Sequence, residues 1–278
     1  QDLITVTIYG LTIQNGSGTT GGAILAEGSL ILLRCVLLQN SALNGGAVWA
    51  SSPVTIDECT FMQNQSNNQG GALYASLGGT ITNSAFQANS AGSGGAIYHF
   101  VGNMVINGCT FTENATAGFG DGGAYNNTTL ATLSISNSTF ERNRAGRYGG
   151  AISNSGQATI SASRFTGNSA GFRGGAIAAF VNPLTITNSS FSQNTAQAGG
   201  AVHSALGATV EIRESAFFLN SATDSGSAIF QEGAETVTRI INSTLAQNTA
   251  GNTGGALYVT EGTASLSFAT VANNTVGG

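Results

Sequence analysis

A Gly-Gly-Ala-aliphatic tetrad returns every 24 to 28 residues along this chain, and no other feature limits its fold so strongly. Copies begin at Gly21, Gly45, Gly70, Gly94, Gly122, Gly149, Gly174, Gly199 and Gly254, with a degenerate Gly226-Ser227-Ala228-Ile229 before the last. A Phe-x-x-Asn motif recurs in the same order. Its asparagines are Asn15, Asn40, Asn64, Asn89, Asn114, Asn143, Asn168, Asn194, Asn220, Asn248 and Asn274. Three residues earlier stand Phe61, Phe86, Phe111, Phe140, Phe165, Phe191 and Phe217, with Leu37, Leu245 and Val271 as substitutes and Thr12 in the first copy. Five residues before that position lies an aliphatic, from Leu32 and Ile56 through Ile240 to Leu266, commonly flanked by polar residues as in Thr80-Ile81-Thr82.

Period-two alternation marks strands with one buried face, and no segment sustains a helical period. Equivalent residues recur once per roughly 25 positions, which suits coils stacked in parallel register rather than hairpins. The expected fold is therefore all-β: a right-handed parallel β-helix of about eleven rungs, each of roughly 25 residues and three short strands. Residues 1–278 read as one domain, a rod on the order of 50 Å long at the inter-strand spacing.

Stacking explains the residue types. Like aromatics lie over one another, and asparagine amides hydrogen-bond along the axis while satisfying turn backbone. Asparagine also tolerates the left-handed backbone of a corner, and the glycine pair supplies positive φ and close approach. Cys35, Cys59 and Cys109 share a small-residue ladder with Ser84, Ser138, Ser163, Ser189, Ser215 and Ser243. Buried thiols are the first expectation there, and a Cys35–Cys59 disulfide across adjacent rungs is the second. Three cysteines do not make a tetrahedral zinc site.

The Gly-Gly-Ala-aliphatic and Phe-x-x-Asn signatures together resemble the repeats of chlamydial polymorphic outer-membrane proteins and related bacterial extracellular β-helix proteins. The likeness covers nearly the whole chain, although these 278 residues include no membrane barrel and only three cysteines. It implies a surface-exposed adhesin, whose repeat residues are structural, so no catalytic residue carries over.

Composition narrows the partners. Charged residues are only 8% of the chain, lysine is absent and net charge is −5, so there is no basic face for nucleic acid. The cluster Arg142, Arg144 and Arg147 reads as a solvated turn, and no apolar run is long enough for a membrane helix. Gln1 stands close to the strand-like run from Leu3, as in a processed chain or a piece of a longer one. Neither end shows a cap, so the chain is expected to continue into a longer solenoid or to self-associate end to end as a filament subunit.

The expectation for function is a non-enzymatic extracellular or cell-surface structural or adhesive solenoid, with no cofactor and with a surface glycan or host protein as partner. Two alternatives stand beside it. A carbohydrate-active enzyme needs paired carboxylates, and Asp57/Glu58 lack acidic neighbours while Glu211, Arg213, Glu214 and Arg239 read as an ion-pair network. An ice-binding protein would use outward pairs such as Ser134/Ser136 and Thr185/Thr187, although Val105/Asn107 and Glu211/Arg213 interrupt them. His99 and His203 read as surface residues four rungs apart, and the lone Trp49 as core or rim packing. Among nine Asn-x-Ser/Thr sequons, Asn15, Asn64 and Asn114 fall on the interior ladder, and Asn126 and Asn188 are the surface candidates for glycosylation.

Overall fold

The computed structural model describes residues 4–277. These form a right-handed parallel solenoid of about eleven rungs without a helix. Gln1, Leu3 and Gly278, on which the reading of the ends drew, lie outside the described residues.

Four parallel sheets run along the column, not three. Sheet A holds eleven strands from Thr5–Tyr9 to Thr263–Ser267, and sheet B eleven from Thr12–Gln14 to Thr270–Ala272. Sheet C holds ten from Ser41–Asn44 to Thr275–Val276, and sheet D ten from Ile24–Ala26 to Leu257–Val259. The chain visits A, B, C and D in turn and re-enters A one rung further on. Sheet C is the one the sequence conceals. Strands such as Ser90–Ala91 and Ala115–Thr116 are two residues long with one inward small side chain, too short for alternation to be read.

Register is exact in residue type along the interior. Ile56, Ile81, Ile106, Ile135 and Ile160 pair rung to rung in sheet A. The seven inward phenylalanines of sheet B are fully buried and stack with centroids 4.6–4.8 Å apart and planes within 5°. Each such contact adds about 0.5–1.5 kcal/mol beyond area burial.

The asparagine ladder closes its hydrogen-bond account at each interior rung. Asn143 Oδ1 accepts from the Asn114 backbone N–H (3.0 Å) and from Asn114 Nδ2 (3.0 Å). Its own Nδ2 donates to the Phe111 carbonyl (2.9 Å) and to Asn168 Oδ1 (3.0 Å). The pattern repeats from Asn40 through Asn64, Asn89, Asn168, Asn194, Asn220 and Asn248 to Asn274. These asparagines are not the left-handed corner residues. Positive φ falls on the residue before, as in Gln39, Gln63, Glu113 and Arg142. The first copy is read differently for the same reason. Asn15 is itself such a corner (φ 58°), and Gly16 takes the ladder place by donating its N–H to Asn40 Oδ1. Asn15 is thus exposed, not interior, and Ile13 rather than Thr12 stands over Leu37.

The glycine pair has two separate duties. The first glycine turns with positive φ, as in Gly149 (+65°). The second is needed for approach, since a Cβ on Gly150 would lie 2.0 Å from the Gly175 carbonyl oxygen of the next rung. In the degenerate copy Ser227 is accommodated, fully buried, with its hydroxyl donating to the Gly255 carbonyl.

A second ladder lines the A–B corner. The backbone N–H of Cys59 donates to Ser84 Oγ (3.0 Å), and those of Ser138, Ser163 and Ser189 to the serine hydroxyl of the next rung at 3.1–3.2 Å. Cys35 N–H likewise points at Cys59 Sγ (3.3 Å). All three cysteines are free, so the Cys35–Cys59 bridge is not formed. In its place each thiol donates to the carbonyl two residues back. Burial pushes the Cys59 and Cys109 thiols up to about 11, out of the thiolate range.

Asn143→Ala removes four hydrogen bonds, leaving the buried Asn114 N–H without its acceptor and the buried amides of Asn114 and Asn168 each short of a partner. A loss of about 3 kcal/mol or more is expected in urea denaturation. Gln63→Ala at an exposed corner, where Ala88 already occupies the equivalent place, is expected to change stability by under about 1 kcal/mol.

Candidate functional site on the outer face of sheet D

Strands of sheet D are mostly three residues long and point inward, outward, inward, so each rung contributes one central outward side chain. Register aligns these as Leu25, Trp49, Tyr74, Tyr98, Asn126, Ser153, Ala178, His203, Phe230 and Tyr258. Trp49 is half-buried and stacks on Tyr74 (6.0 Å), which stacks on Tyr98 (5.4 Å). A lone tryptophan thereby becomes one end of an external aromatic row. The signal was present in the residue directly after each tetrad, Trp49, Tyr74 and Tyr98.

Ser153 and Ala178 are too small to continue the row and leave a depression. Tyr148, from the loop before Gly149, fills it. Its ring meets Phe180 edge-on at 5.2 Å and stacks on His203 at 6.1 Å. Arg173 crosses the next rungs, with its guanidinium 4.5 Å from the Phe172 ring centroid and 5.1 Å from that of Phe230, and it ion-pairs with Glu232. Glu232 Oε1 lies 3.1 Å from His203 Nε2.

His203 is therefore not a surface residue. It is 1% exposed, enclosed by Tyr148, Phe180 and Phe230. Burial lowers its pKa below the ordinary imidazole value, outweighing the carboxylate beside it. The neutral ring donates from Nε2 to Glu232, while buried Nδ1 has no partner. Glu232 is held below the usual carboxylate range, first by that hydrogen bond and then by Arg173.

His99 does not share a face with His203. It sits one residue further along its strand and points inward, fully buried. Its Nδ1 lies 3.1 Å from Asn127 Oδ1 and its Nε2 3.0 Å from the Val101 carbonyl, and Asn127 Nδ2 donates onward to Asn154 Oδ1 (2.8 Å). This short polar ladder replaces the alanines found there in earlier rungs, and burial lowers the His99 pKa also.

Two hollows carry polar groups. One of about 310 Å³ is lined by Ala205, Leu206, Glu232, Gly233, Thr260 and Glu261, placing two carboxylates from adjacent rungs on one cleft. The other, about 440 Å³ and widely open, follows the A–B corner past Arg164, Asn188 and Glu214. Elsewhere charges pair locally: Arg142 with Glu113 and Glu141, Arg147 with Asp121, Arg213 with Glu211. Asp57 accepts from Thr82 Oγ1 (2.5 Å) and Asn83 Nδ2 (3.1 Å), which keep its carboxyl low. Among the described residues no three His, Cys, Asp or Glu side chains converge as metal ligands, and no helix is long and apolar enough to cross a membrane.

The sequons have a structural origin. Asn137, Asn188 and Asn242 are left-handed corners, each followed by a serine of the buried A–B ladder and then by the Thr or Ser that opens a sheet B strand. Asn-Ser-Thr/Ser is the local requirement of that corner. Asn126 instead faces outward on sheet D and donates to Ser93 Oγ (3.0 Å). Asn64 and Asn114 are fully buried.

Residues 4–173 match a family model described as a right handed beta helix region. The chain belongs to the right-handed β-helix family. No curated protein and no solved structure matches it. This family includes both structural or adhesive proteins and carbohydrate-active enzymes, so membership states the coil and leaves the activity to its surfaces.

The lowered histidines give this β-helix protein a defined acid sensitivity. A histidine whose folded pKa lies below its unfolded value of about 6.5 contributes its full stability above that value and loses it as pH falls through the folded pKa. Glu232, also lowered, adds a further loss at more acidic pH. The thermal midpoint is therefore expected to drop between about pH 7 and about pH 5, and His203→Phe, which keeps the aromatic packing, is expected to flatten that slope.

Proposed function

We propose that this protein is a non-enzymatic, extracellular or cell-surface structural or adhesive solenoid that works through its flat ladder faces. The observation that carries this reading is the engagement of its reactive side chains in structure. His99 is held in the core, His203 lies under Tyr148, the thiols cap backbone groups and most arginines meet a carboxylate. The resemblance of its tetrad and Phe-x-x-Asn repeats to chlamydial polymorphic outer-membrane proteins supports the adhesive form.

A contact surface of matching character lies on sheet A. From Thr80/Thr82 through Val105/Asn107, Ser134/Ser136 and Thr159/Ser161 to Thr185/Thr187, the outward pairs are uncharged and mostly hydroxyl or amide. Such a face suits a surface glycan or host protein through many weak hydrogen bonds repeated at the rung spacing. Along the axis, Leu266 and Val271 of the last rung occupy places that are buried elsewhere and are 42% and 51% exposed. A further coil, from a longer solenoid or from another copy, would cover them.

The test is retention of the purified chain on immobilised neutral and acidic glycans and on mammalian and bacterial cell surfaces. Ser134→Arg with Ser161→Arg is expected to reduce retention by about tenfold or more. Retention unchanged by both substitutions would overturn the assignment of that face. Thermal hysteresis lost in the same variants would make it an ice surface instead.

A second reading rests on Glu232 and Glu261 sharing one cleft on adjacent rungs, as a glycosidase pair must. Against it, Glu232 is already committed to Arg173 and His203, and its lowered carboxyl is not the raised acid that such a pair uses as proton donor. Turnover of an acidic polysaccharide, falling about a hundredfold in Glu232→Gln, would replace the non-enzymatic reading.

A further inference from the structure

The external row of sheet D is covered along only part of its length. Over rungs carrying Ala178, His203 and Phe230, the chain lays its own Tyr148 and Arg173 on top, leaving all three residues at most 5% exposed. Over rungs carrying Leu25, Trp49, Tyr74 and Tyr98, no loop among the described residues does so. Leu25 is 54% exposed and the three rings are partly exposed. Beside them, at the D–A corner of three consecutive rungs, stand Leu77 (44% exposed), Phe100 (46%) and Leu130 (73%). The result is an apolar ridge next to an aromatic trough, both repeating at the rung spacing of about 4.8 Å. A contiguous apolar patch of this kind on an otherwise polar surface is a contact site.

We propose that this face pairs with the same face of a second copy, the two columns lying side by side and parallel about a two-fold axis along the column. Such an axis reverses left and right across the interface but leaves height unchanged. The ridge of one copy then meets the trough of the other at equal height, so Leu77 lies against Tyr74 and Phe100 against Tyr98, with Trp49 one rung before and Leu130 one rung after this contact. Two features favour a second copy over another partner. The repeat lengths of the two surfaces are identical because both are the rung, so register is kept along the whole contact. No cation or carboxylate falls among these residues, so a two-fold contact brings no like charges together; Glu27 stands at one edge of the patch and Asp121, paired with Arg147, at the other. The same molecule also shows that an aromatic or aliphatic cover fits this row, because Tyr148 and Phe180 supply one further along.

Small-angle scattering and sedimentation velocity from micromolar to several hundred micromolar test this pairing on the wild-type chain. Side-by-side pairing doubles the mass and raises the cross-sectional radius of gyration at nearly constant length. A mass increase at constant cross-section, with growing length, would be end-to-end association and would overturn the lateral contact while supporting the axial one. A monomer throughout that range overturns it as well. Leu77→Ser and Phe100→Ser, both at exposed positions, are each expected to raise the dissociation constant about tenfold. Gln65→Arg on exposed sheet C is expected to leave it unchanged, and an equal effect of all three substitutions would also refute the assignment.

Discussion

Everything in this molecule rests on in-register parallel stacking, in which each rung supplies hydrogen-bond partners for the rung before it. The asparagine amide is the clearest instance, because its two donors and its carbonyl oxygen are all taken up by backbone and amide groups of neighbouring rungs. A buried primary amide left half-satisfied would cost roughly as much as several good contacts gain. A fully satisfied column instead locks the axial position of every corner. The phenylalanine stack, the serine–thiol ladder and the glycine contact follow from that one alignment. A shift of a single rung element would place Cβ atoms into carbonyl oxygens at the second glycine.

Much of this was legible because stacking writes the cross-section of the column into the sequence once per rung. Residues with one allowed role, such as Phe86, Asn89 and Gly95, announced their places directly. Residues with a permissive role did not. Most sheet C strands are two-residue segments, such as Ser90–Ala91, Ala115–Thr116 and Ser169–Ala170, so neither pattern nor propensity marks them. The misplacement of Asn15 arose because asparagine suits both the ladder and the left-handed corner beside it, and only the partner of Gly16 distinguishes them. The two histidines show a different limit. His99 and His203 differ by one position within their strands, which reverses inside and outside. Enclosure of His203 further depends on Tyr148, two rungs away in sequence and adjacent only in space.

The outer faces divide the work of the fold. Sheet A presents uncharged, mostly hydroxyl and amide pairs over five consecutive rungs from Thr80/Thr82 to Thr185/Thr187, whereas sheet D gathers the aromatics and a self-covered segment clasped by Arg173 and Glu232. The phenylalanine and asparagine ladders run nearly unbroken along the column, while the outward row of sheet D changes from aromatic to small and back within ten rungs. Variation is thus greatest where the asparagine and phenylalanine ladders are not involved, and the inward row from Ala75 to His99, Asn127 and Asn154 changes by building a polar ladder of its own.

The corners show the same freedom in another form. Left-handed backbone is imposed at nearly every A–B and B–C corner, yet these sites hold Arg34, Gln39, Glu113, Ala162, Leu219 and Phe268 as readily as asparagine or glycine. Each such side chain holds back about 1 kcal/mol that glycine would release. A column that tolerates so many of them has stability to spare, concentrated in its axis. Its perimeter is open to drift, and new surface chemistry can be tried there one corner at a time without disturbing the stack.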